Sequence, residues 1–387
     1  MSDRPQTLYV LDSFLPRSEV FIYNYYRAHT AWKPIILCCQ RQNADEFPAE
    51  EIYQYPMASA PSLFSMGAIR FWGSRLVEKV TGQSPWQHQV KALLKRIRPD
   101  VIHAHFAPMG WAVAPVAREL GIPLVTTCYA WDISVLPRQA LWRRRYQDLF
   151  AACDLFLIEG PHLSELAMDL GMPEEKIRIQ HIAIEMEKYP SWKPSWENPT
   201  VLFVGRFVEK KGLIYALKAF CRIRDEIPNA RFRVIGDGPE KPRALDYVRT
   251  HNLAASVQFL GMKPHHEMIA ELVKANALIY PSVWAANGDN EGGIGTVLLE
   301  AQAVGTPIVS TYHADLPYGL ASVPGIYLAT ERSVDGLVAR LRQALQEQVR
   351  VDSRFVRERH DVQKEVVRLE EKYQTLVDRR RNLLIAQ

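Results

Sequence analysis

The sequence predicts an α/β protein made of two doubly wound, parallel-sheet domains in tandem. Its 387 residues amount to roughly two to three domains of ordinary size. Short runs rich in Val, Ile, Leu and Phe alternate with helix-length amphipathic segments, as in parallel strands that are buried on both faces. The alternation stops near residue 190 and then begins again, which indicates two domains rather than one.

The apolar runs place the strands. In the first half we expect strands at 7–12, 34–39, 100–105, 123–128, 154–159 and 176–182, and in the second at 200–205, 231–236, 256–261, 277–282, 307–311 and 325–329. Residues 189–199 contain three prolines and no periodicity, which predicts an interdomain linker. Residues 362–385 read as a long helix that packs back across the first domain. The predicted domains are therefore 1–190 and 191–365, followed by a C-terminal helix at 366–387.

Composition excludes several classes of protein. With 48% hydrophobic and 23% charged residues, the chain is expected to fold rather than remain disordered. Its net charge of +4 is too close to balance to indicate a nucleic-acid partner. No apolar run is long enough to span a membrane, and the polar start MSDRPQ lacks a secretory pattern. We interpret the five scattered cysteines as reduced residues of the core. Because free thiols are typical of a reducing compartment, we expect a cytoplasmic protein.

In the second half, cations and glycines follow the predicted strands. Arg206 comes directly after the strand at 200–205, and Lys211 opens the next helix. Two cations at a helix start suit a diphosphate, although a solvated basic turn is an open alternative for any such pair. The next strand ends in a tight turn, Gly236-Asp237-Gly238-Pro239, whose glycines would allow a ligand to approach closely.

Residues 280–310 carry the strongest signal. A polar loop with four glycines runs into a helix predicted to open near Thr296. Glu291 lies in the loop and Glu300 lies one turn into the helix, within an otherwise apolar stretch. A carboxylate there is costly unless hydroxyl or cationic groups bind it. Cations for phosphate, a glycine loop and two carboxylates together predict a sugar-nucleotide site.

These residues resemble a known family. VGRFVEKKG (204–212), GDGP (236–239), YPS (280–282) and EGGIGTVLLEAQAVGTPIVST (291–311) are similar to the retaining glycosyltransferases of family 4. LPRSEVFI (15–22), VIHAHF (101–106) and GIPLVTTCYAWD (121–132) match more weakly but in the same order. The resemblance implies the GT-B fold, two facing Rossmann-like domains with a cleft. It also implies a bacterial enzyme of exopolysaccharide or lipopolysaccharide synthesis that uses a nucleotide-sugar donor and a glycan or lipid-linked acceptor.

The resemblance also implies roles for the donor-binding residues. Arg206 and Lys211 would neutralise the diphosphate, and Glu300 would bind the ribose. Glu291 would lie near the donor sugar. The remaining donor-binding positions are expected at the glycine turns and next to the base: Gly236, Gly261, Met262, Gly292 and Gly293.

On the first domain, the resemblance assigns His105 to the reacting sugar. The acceptor-side candidates are Ser18, Glu19, Tyr129 and Asp132. His103 lies two residues before His105, and we expect the two side chains to point to opposite faces of the sheet, with only His105 at the site.

The sequence departs from the family pattern in two places. The family usually has seven residues between its two glutamates, whereas eight separate Glu291 from Glu300, and we place the extra residue at Gly292-Gly293. Tyr129 stands where the family commonly has a histidine. A GT-B sugar-nucleotide epimerase and a degenerate nucleotide-binding protein therefore remain as alternatives.

No metal or other cofactor is expected. His265 and His266 lack partners at ligand spacing, so a solvated turn or helix start is the better interpretation. Residues 51–150 carry twelve Lys and Arg against six Asp and Glu. Within them, residues 69–98 and 136–150 interleave arginines with aromatics such as Trp72 and Trp142. This pattern suits peripheral contact with the inner face of an anionic membrane, with an ordinary solvated helix face as the open alternative.

Overall fold

The computed structural model describes residues 4–57, 84–320 and 322–385. The chain divides into two compact units. Unit 1 contains Met1–Ile158, Ala167–Gln180 and Glu365–Gln387, and unit 2 contains Glu159–Leu166 and His181–Lys364. Each unit is built on one parallel sheet, which confirms the predicted fold class. Trp72 and the rest of residues 69–83, named above for membrane contact, lie outside the described residues.

Unit 1 is built on a seven-stranded sheet in which all neighbouring strands are parallel. The order is β3-β2-β1-β4-β5-β6-β7. Side chains of the central strands are almost fully buried, as expected for strands covered on both faces. The strands are β1 (Gln6–Phe14), β2 (Lys33–Arg41), β3 (Ile52–Gln54), β4 (Val101–His105), β5 (Leu124–Thr127), β6 (Leu155–Ile158) and β7 (Ile177–Ile179).

The helices of the first half connect these strands. A capping box at Ser84 and Gln87 starts the second of them. Gly121, with φ of 70°, ends the third, in a left-handed conformation that glycine adopts easily. The helices are α1 (Val20–Ala28), α2 (Pro85–Ile97), α3 (Ala107–Leu120), α4 (Ala130–Ser134), α5 (Ala140–Ala152) and α6 (Pro161–Asp169).

Unit 2 repeats the architecture with a six-stranded parallel sheet of order β10-β9-β8-β11-β12-β13. The predicted strand positions are all occupied. Its strands are β8 (Thr200–Val204), β9 (Arg231–Ile235), β10 (Val257–Gly261), β11 (Ala277–Tyr280), β12 (Ile308–Thr311) and β13 (Ile326–Ala329). The helices are α7 (Leu213–Glu226), α8 (Lys241–Thr250), α9 (His265–Lys274), α10 (Thr296–Val304), α11 (Leu316–Leu320), α12 (Val334–Glu347) and α13 (Arg354–Arg359).

The segment predicted as an interdomain linker, residues 189–199, packs on unit 2. The indole of Trp192 donates to the carbonyl of Ala275 at 2.7 Å, and its backbone N–H donates to the carbonyl of Val304 at 3.0 Å. Trp196 packs against the core of the same unit. The chain passes from unit 1 to unit 2 earlier, after Gln180. The prolines prevent regular structure here, but the two indoles bury enough apolar surface to hold the segment in place.

The last helix, α14 (Val362–Ile385), confirms the predicted C-terminal helix. From Glu365 onward it belongs to unit 1. Its Glu370 accepts hydrogen bonds from the backbone N–H groups of Thr30, Ala31 and Trp32 at 3.1–3.2 Å. Nδ1 of His29 lies 2.9 Å from the same carboxylate oxygen. The helix is therefore fixed to the first domain by one nearly buried carboxylate.

Crossing a bilayer requires a helix that is both long and apolar, and no helix within the described ranges meets both requirements.

We predict that Glu370→Ala destabilises unit 1 by about 2–4 kcal/mol, because three backbone donors lose their acceptor in a buried position. Burial acts to raise the pKa of Glu370, but His29 and the backbone N–H groups outweigh it and hold the pKa below its usual value. The stabilisation is therefore present above the ordinary carboxyl pKa and is lost as the pH falls through the lowered value. Urea unfolding at several pH values measures both effects.

Glu371→Ala is the matched control, since Glu371 is the next residue of α14 and is exposed. It should leave the free energy of unfolding within about 0.5 kcal/mol of wild type. A loss of similar size in the two variants, or a Glu370→Ala loss that grows toward acid pH, would contradict the assignment.

Candidate functional site

A buried ion pair lies at the carboxyl ends of the central strands of unit 2. Lys211 ends a 3₁₀ turn over Glu209–Lys211 that follows β8. Its Nζ lies 2.6 Å from Oε2 of Glu291, and the Tyr280 hydroxyl donates to the same oxygen at 2.9 Å. Lys211 Nζ also contacts the Tyr280 hydroxyl. The fold thus brings together two of the predicted site residues, Lys211 and Glu291. Tyr280 joins them and was not predicted from the sequence.

Charge state follows from the surroundings of this pair. Burial lowers the pKa of Lys211, and Glu291 opposes that effect. Burial acts to raise the pKa of Glu291, but Lys211 and Lys210 outweigh it and hold the pKa below its usual value. The lowered pKa keeps Glu291 ionised at neutral pH, and its carboxylate in turn favours the charged form of Lys211. The second oxygen of Glu291, Oε1, is buried and has no hydrogen-bond partner among the residues that the structure describes.

Arg206 lies next to this pair. Its side chain is exposed, and its charge acts on both Lys211 and Tyr280. Within the described chain its guanidinium forms no hydrogen bond or ion pair. A free guanidinium beside a buried ammonium is an arrangement that attracts a multiply charged anion.

Glycines bring the backbone close to this edge of the sheet. Gly236 has a φ of 136°, and a Cβ at this position would lie 1.9 Å from the carbonyl oxygen of Gly205. Its N–H donates to the carbonyl of Gly261, the last residue of β10, at 3.0 Å. Met262 follows and is 67% exposed. Gly236, Gly261 and Met262 therefore stand together at the carboxyl edge, as their predicted role requires.

Glu300 lies in α10, with 8% of its side chain exposed. Nε2 of His265 lies 2.7 Å from its Oε1, and the Tyr189 hydroxyl donates to that oxygen at 3.4 Å. His265 is the first residue of α9, and the hydrogen bond with Glu300 raises its pKa more than burial lowers it. The expectation of a helix start at His265 is correct, but the sequence did not indicate its pairing with Glu300.

The Gly292-Gly293 turn contacts a residue that sequence reasoning missed. Glu159 directly follows β6 in the chain but belongs to unit 2. A Cβ on Gly293 would lie only 1.6 Å from Glu159 Oε2. Burial raises the pKa of Glu159 to about 8, with Asp315 and Glu291 adding to the effect and Lys210 opposing it. Its only signal in the sequence is a carboxylate at the end of an apolar strand, DLFLIE.

Two further residues that the sequence did not predict, His313 and Glu331, support the backbone at Glu291. The backbone N–H of Glu291 donates to Nε2 of His313 at 3.2 Å. His313 is fully buried, and its Nδ1 lies 2.6 Å from Glu331 Oε1. These contacts assign the Nδ1–H tautomer, with Nε2 as the acceptor. The Glu291 loop is thus tied to the chain that follows β12.

In unit 1, His105 is the last residue of β4 and is 4% exposed. Its Nδ1 lies 2.9 Å from the Tyr129 hydroxyl, and its Nε2 is buried without a partner among the described residues. Burial lowers the pKa of His105 to about 3, so the ring is neutral at physiological pH. The predicted candidates His105 and Tyr129 are therefore in direct contact.

The expectation that His103 and His105 point to opposite faces is wrong. Their rings stack with centroids 4.3 Å apart, and both contact Tyr9. The reason is the period of a strand: neighbours alternate, so residues two apart share a face. His103 lies between Tyr373 of α14 and Thr127, at 2.5 Å and 2.7 Å, which gives it a structural role.

The other acceptor-side candidates lie near the same edge of unit 1. Asp132 is fully buried and its Oδ2 accepts from the Tyr129 backbone N–H at 3.0 Å. Burial raises the pKa of Asp132 to about 7, against the backbone N–H groups of Tyr129 and Ala107, and Glu19 adds to the rise. Burial and Asp12 raise the pKa of Glu19 to about 7. Ser18 is exposed.

Metal ligands are a separate question. Across residues 4–57, 84–320 and 322–385, no three His, Cys, Asp or Glu side chains are grouped so that they could hold a metal ion.

Comparison with protein families matches nearly the whole chain in two parts. Residues 34–188 match the model described as Glycosyltransferase Family 4. Residues 187–364 match the model described as Glycosyl transferases group 1. The boundary between the two models falls close to the point at which the chain enters unit 2.

Similar proteins include WcaL of Escherichia coli (strain K12), named as a colanic acid biosynthesis glycosyltransferase. It is 34% identical over 250 residues, which are 63% of this chain and 61% of WcaL. The amylovoran biosynthesis glycosyltransferase AmsK of Erwinia amylovora is 32% identical over 65% of this chain and 62% of its own length. The alignments thus span about three fifths of the length of these relatives.

Solved structures agree in fold. HepE from Anabaena, solved in complex with UDP and glucose, superposes with a TM-score of 0.76 at 14% identity, over 96% of this chain and all of that chain. The lipopolysaccharide outer core galactosyltransferase WaaB gives a TM-score of 0.68 at 14% identity, over 96% of this chain and 98% of WaaB. The chain therefore has the GT-B fold and belongs to the glycosyltransferases that join a family 4 domain to a group 1 domain.

Proposed function

We propose that this protein transfers a sugar from a nucleoside diphosphate sugar to a glycan or lipid-linked acceptor in surface polysaccharide synthesis. The observation that carries the proposal is the cationic edge of unit 2, where Arg206 and the buried Lys211 stand beside Glu291. The printed names of WcaL and AmsK support the polysaccharide context, and the complexes of HepE with UDP support the class of donor.

The cations supply the electrostatic part of the reaction. When the bond between the anomeric carbon and the diphosphate oxygen breaks, negative charge develops on the leaving diphosphate. Lys211 and Arg206 are already in place to stabilise that charge, so no group has to reorganise during the reaction. We propose on this ground that leaving-group departure needs no metal ion.

Glu300 is proposed to bind the ribose hydroxyls. Its carboxylate is held in a fixed position by His265 and Tyr189, and an anionic acceptor suits two neighbouring hydroxyl donors. Gly236, Gly261 and Met262 would lie against the rest of the nucleotide through their backbone. Gly292 and Gly293 would do the same for the phosphate and sugar.

Transfer is proposed to retain the anomeric configuration. The acceptor oxygen forms its bond to the anomeric carbon on the face that the diphosphate leaves, and the acceptor proton passes to the departing diphosphate. Nothing assigns Glu291 as a covalent nucleophile, and we propose it as a contact to the sugar. From unit 1, His105 would offer its free Nε2 to a sugar hydroxyl, and Ser18, Glu19, Tyr129 and Asp132 would line the acceptor.

An epimerase would use similar architecture, but the similar proteins are named as glycosyltransferases, so we set that alternative aside. A degenerate protein that binds a nucleotide without turnover is distinguished by activity alone. Two departures from the family pattern favour such a protein: Tyr129 in place of the histidine, and the extra glycine between Glu291 and Glu300.

We predict that one of UDP, GDP, ADP or CMP raises the melting temperature of the wild-type protein. At a ligand concentration of 100 times Kd, the stabilisation is about 2.7 kcal/mol, or roughly 5–10 °C. Arg206→Ala and Glu300→Gln should remove most of the shift, and Mg²⁺ should not change it. A thermal-shift assay measures all three outcomes.

Arg249→Ala is the control, because Arg249 is an exposed cation of α8 outside the proposed site, and it should keep the full shift. If no nucleotide stabilises the wild-type protein, the donor proposal fails.

Retention gives a second prediction. Slow hydrolysis of the donor that binds should first release the free sugar with the donor's own anomeric configuration, because water enters on the face of the leaving group. Proton NMR during the first turnovers, before mutarotation, identifies the anomer. Release of the opposite anomer would contradict retention.

We also propose that helix α5 contacts an anionic membrane surface, as a lipid-linked acceptor would require. Leu141 is 57% exposed on it, next to the exposed Arg143 and Arg144. The guanidinium of Arg145 lies 4.1 Å from the ring centroid of Trp111 and 4.8 Å from that of Trp142. An exposed leucine flanked by cations is a pattern that suits the lipid headgroup region.

Basic residues near an anionic bilayer contribute about 1 kcal/mol each. We therefore predict that Arg143→Glu with Arg144→Glu weakens partition onto phosphatidylglycerol-containing vesicles by at least roughly 30-fold. Co-sedimentation measures the partition coefficient. The control pair is Arg243→Glu with Arg249→Glu on α8, which should bind vesicles as the wild-type protein does. If both double variants lost vesicle binding to the same extent, α5 would have no specific role in membrane contact.

A further inference from the structure

The segment Glu159–Leu166 places a carboxyl group, that of Glu159, beside the Gly292-Gly293 turn, although the two are far apart in the sequence. Residues Glu159–Leu166 belong to unit 2 although β6, which they follow, belongs to unit 1. Asp315 holds this piece in place. Its two carboxylate oxygens accept from the backbone N–H groups of His162 at 2.8 Å and Leu163 at 3.0 Å, which caps the start of α6.

The same residue joins this piece to the glycine turn. The backbone N–H of Asp315 donates to the carbonyl of Gly292 at 3.0 Å. Gly160 has no room for a side chain, since a Cβ there would lie 2.4 Å from Asp315 Cγ. Asp315 therefore fixes Glu159, Gly160 and the Gly292-Gly293 turn relative to one another, all within unit 2.

Glu159 explains why a glycine stands at position 293. A Cβ at that position would lie 1.6 Å from Glu159 Oε2 and 2.6 Å from Glu159 Cδ. The carboxyl group thus occupies the space that any side chain at 293 would need. The extra residue between the two glutamates of the family pattern is located where the chain makes room for this carboxyl group.

Two carboxyl groups on this turn lack partners. Glu159 is 9% exposed, no hydrogen bond to its carboxyl group joins it to another described residue, and its oxygens are not among the completely enclosed atoms, so a ligand can reach them. Glu291 has 4% of its side chain exposed, and its buried Oε1 is also without a partner in the described chain. Burying polar groups without hydrogen bonds destabilises a fold. Their retention at one turn indicates that a ligand supplies the missing bonds.

The chemistry of the turn selects the kind of ligand. Glu159, Asp315 and Glu291 place three acidic groups close together at this turn, with Lys210 as the opposing charge on Glu159, and this arrangement disfavours a second anion. Burial and the two neighbouring acids raise the pKa of Glu159 to about 8, so at neutral pH its carboxyl group has one O–H donor and one carbonyl acceptor. Glu291 offers an acceptor only. A sugar hydroxyl, which both donates and accepts, satisfies both groups.

We propose that Glu159 is a specificity-determining residue that hydrogen-bonds a hydroxyl group of the donor's sugar, on the turn shared with Glu291. This inference rests on the proposed function, because it takes the ligand of that function as its own. It adds a residue that the family motifs do not include, contributed by the chain that follows β6.

The test compares free nucleotides with nucleotide sugars. Isothermal titration calorimetry on the full chain would use UDP, GDP, UDP-glucose, UDP-galactose and GDP-mannose with wild type, Glu159→Ala and Glu159→Gln. We expect Glu159→Ala to bind the free nucleotide within twofold of wild type, and to bind the preferred nucleotide sugar at least tenfold more weakly. Glu159→Gln keeps both a donor and an acceptor, so it should recover part of the loss.

Gly293→Ala gives an independent check. Its new methyl group would displace the Glu159 carboxyl group, so the same selective loss of nucleotide-sugar affinity is expected. Glu165→Ala is the matched control, an exposed acid on α6, and should bind every ligand as the wild-type protein does.

Each other result overturns the inference. Equal weakening of nucleotide and nucleotide sugar in Glu159→Ala would assign Glu159 to the structure of the loop. No weakening of either would leave it without a role in donor binding. If wild type binds none of these five ligands and none of the four nucleotides in the thermal-shift assay, the proposed function fails first, and the measurements on the unsubstituted protein show that outcome separately.

Discussion

The ion pair between Lys211 and Glu291 is the constraint on which the site of unit 2 depends. Removing either charge would leave the other buried and uncompensated, which costs several kcal/mol. The surroundings keep the pair together: Tyr280 donates to Glu291 from below, and His313 accepts its backbone N–H. Gly295 lies so close that a Cβ there would be 2.6 Å from the Tyr280 hydroxyl. With one oxygen of Glu291 fixed by these contacts, the direction of the other is fixed too.

Buried carboxylates in this chain fall into two kinds, separated by how completely they are hydrogen-bonded. Glu370 contacts three backbone donors and His29, and these contacts attach the C-terminal helix to the first domain. Glu291 uses one oxygen and leaves the other, which is buried, without a partner among the described residues; Glu159 is 9% exposed and lies against Gly293 on the same turn. Full satisfaction is what a structural group needs. The carboxyl groups that lack hydrogen bonds lie at the carboxyl edge of a parallel sheet, where such folds bind ligands. A bound substrate that supplies the missing hydrogen bonds explains them better than a structural role does.

The sequence predicts most of the fold because its signals are local. Apolar runs locate the strands, and the helical period finds α14 at its observed bounds. Arg206, Lys211 and Glu291 are also predictable, since they lie in one motif-rich half. Glu159 is not, because its partner Gly293 is more than a hundred residues away and nothing local links the two. The packing of residues 189–199 on unit 2 was not predictable for the same reason: proline content is a local property, whereas the contacts of Trp192 are with distant residues.

The tyrosine that departs from the family pattern has a physical consequence for unit 1. The hydroxyl of Tyr129 lies 2.9 Å from Nδ1 of His105 and can donate to it. The imidazole then carries its own proton on Nε2, its free nitrogen. Burial lowers the pKa of His105 to about 3, so the ring does not gain a second proton in the physiological range. A histidine in place of Tyr129 would add a second group that titrates near neutrality. With tyrosine there, the contact proposed between His105 and a sugar hydroxyl is made by a neutral ring.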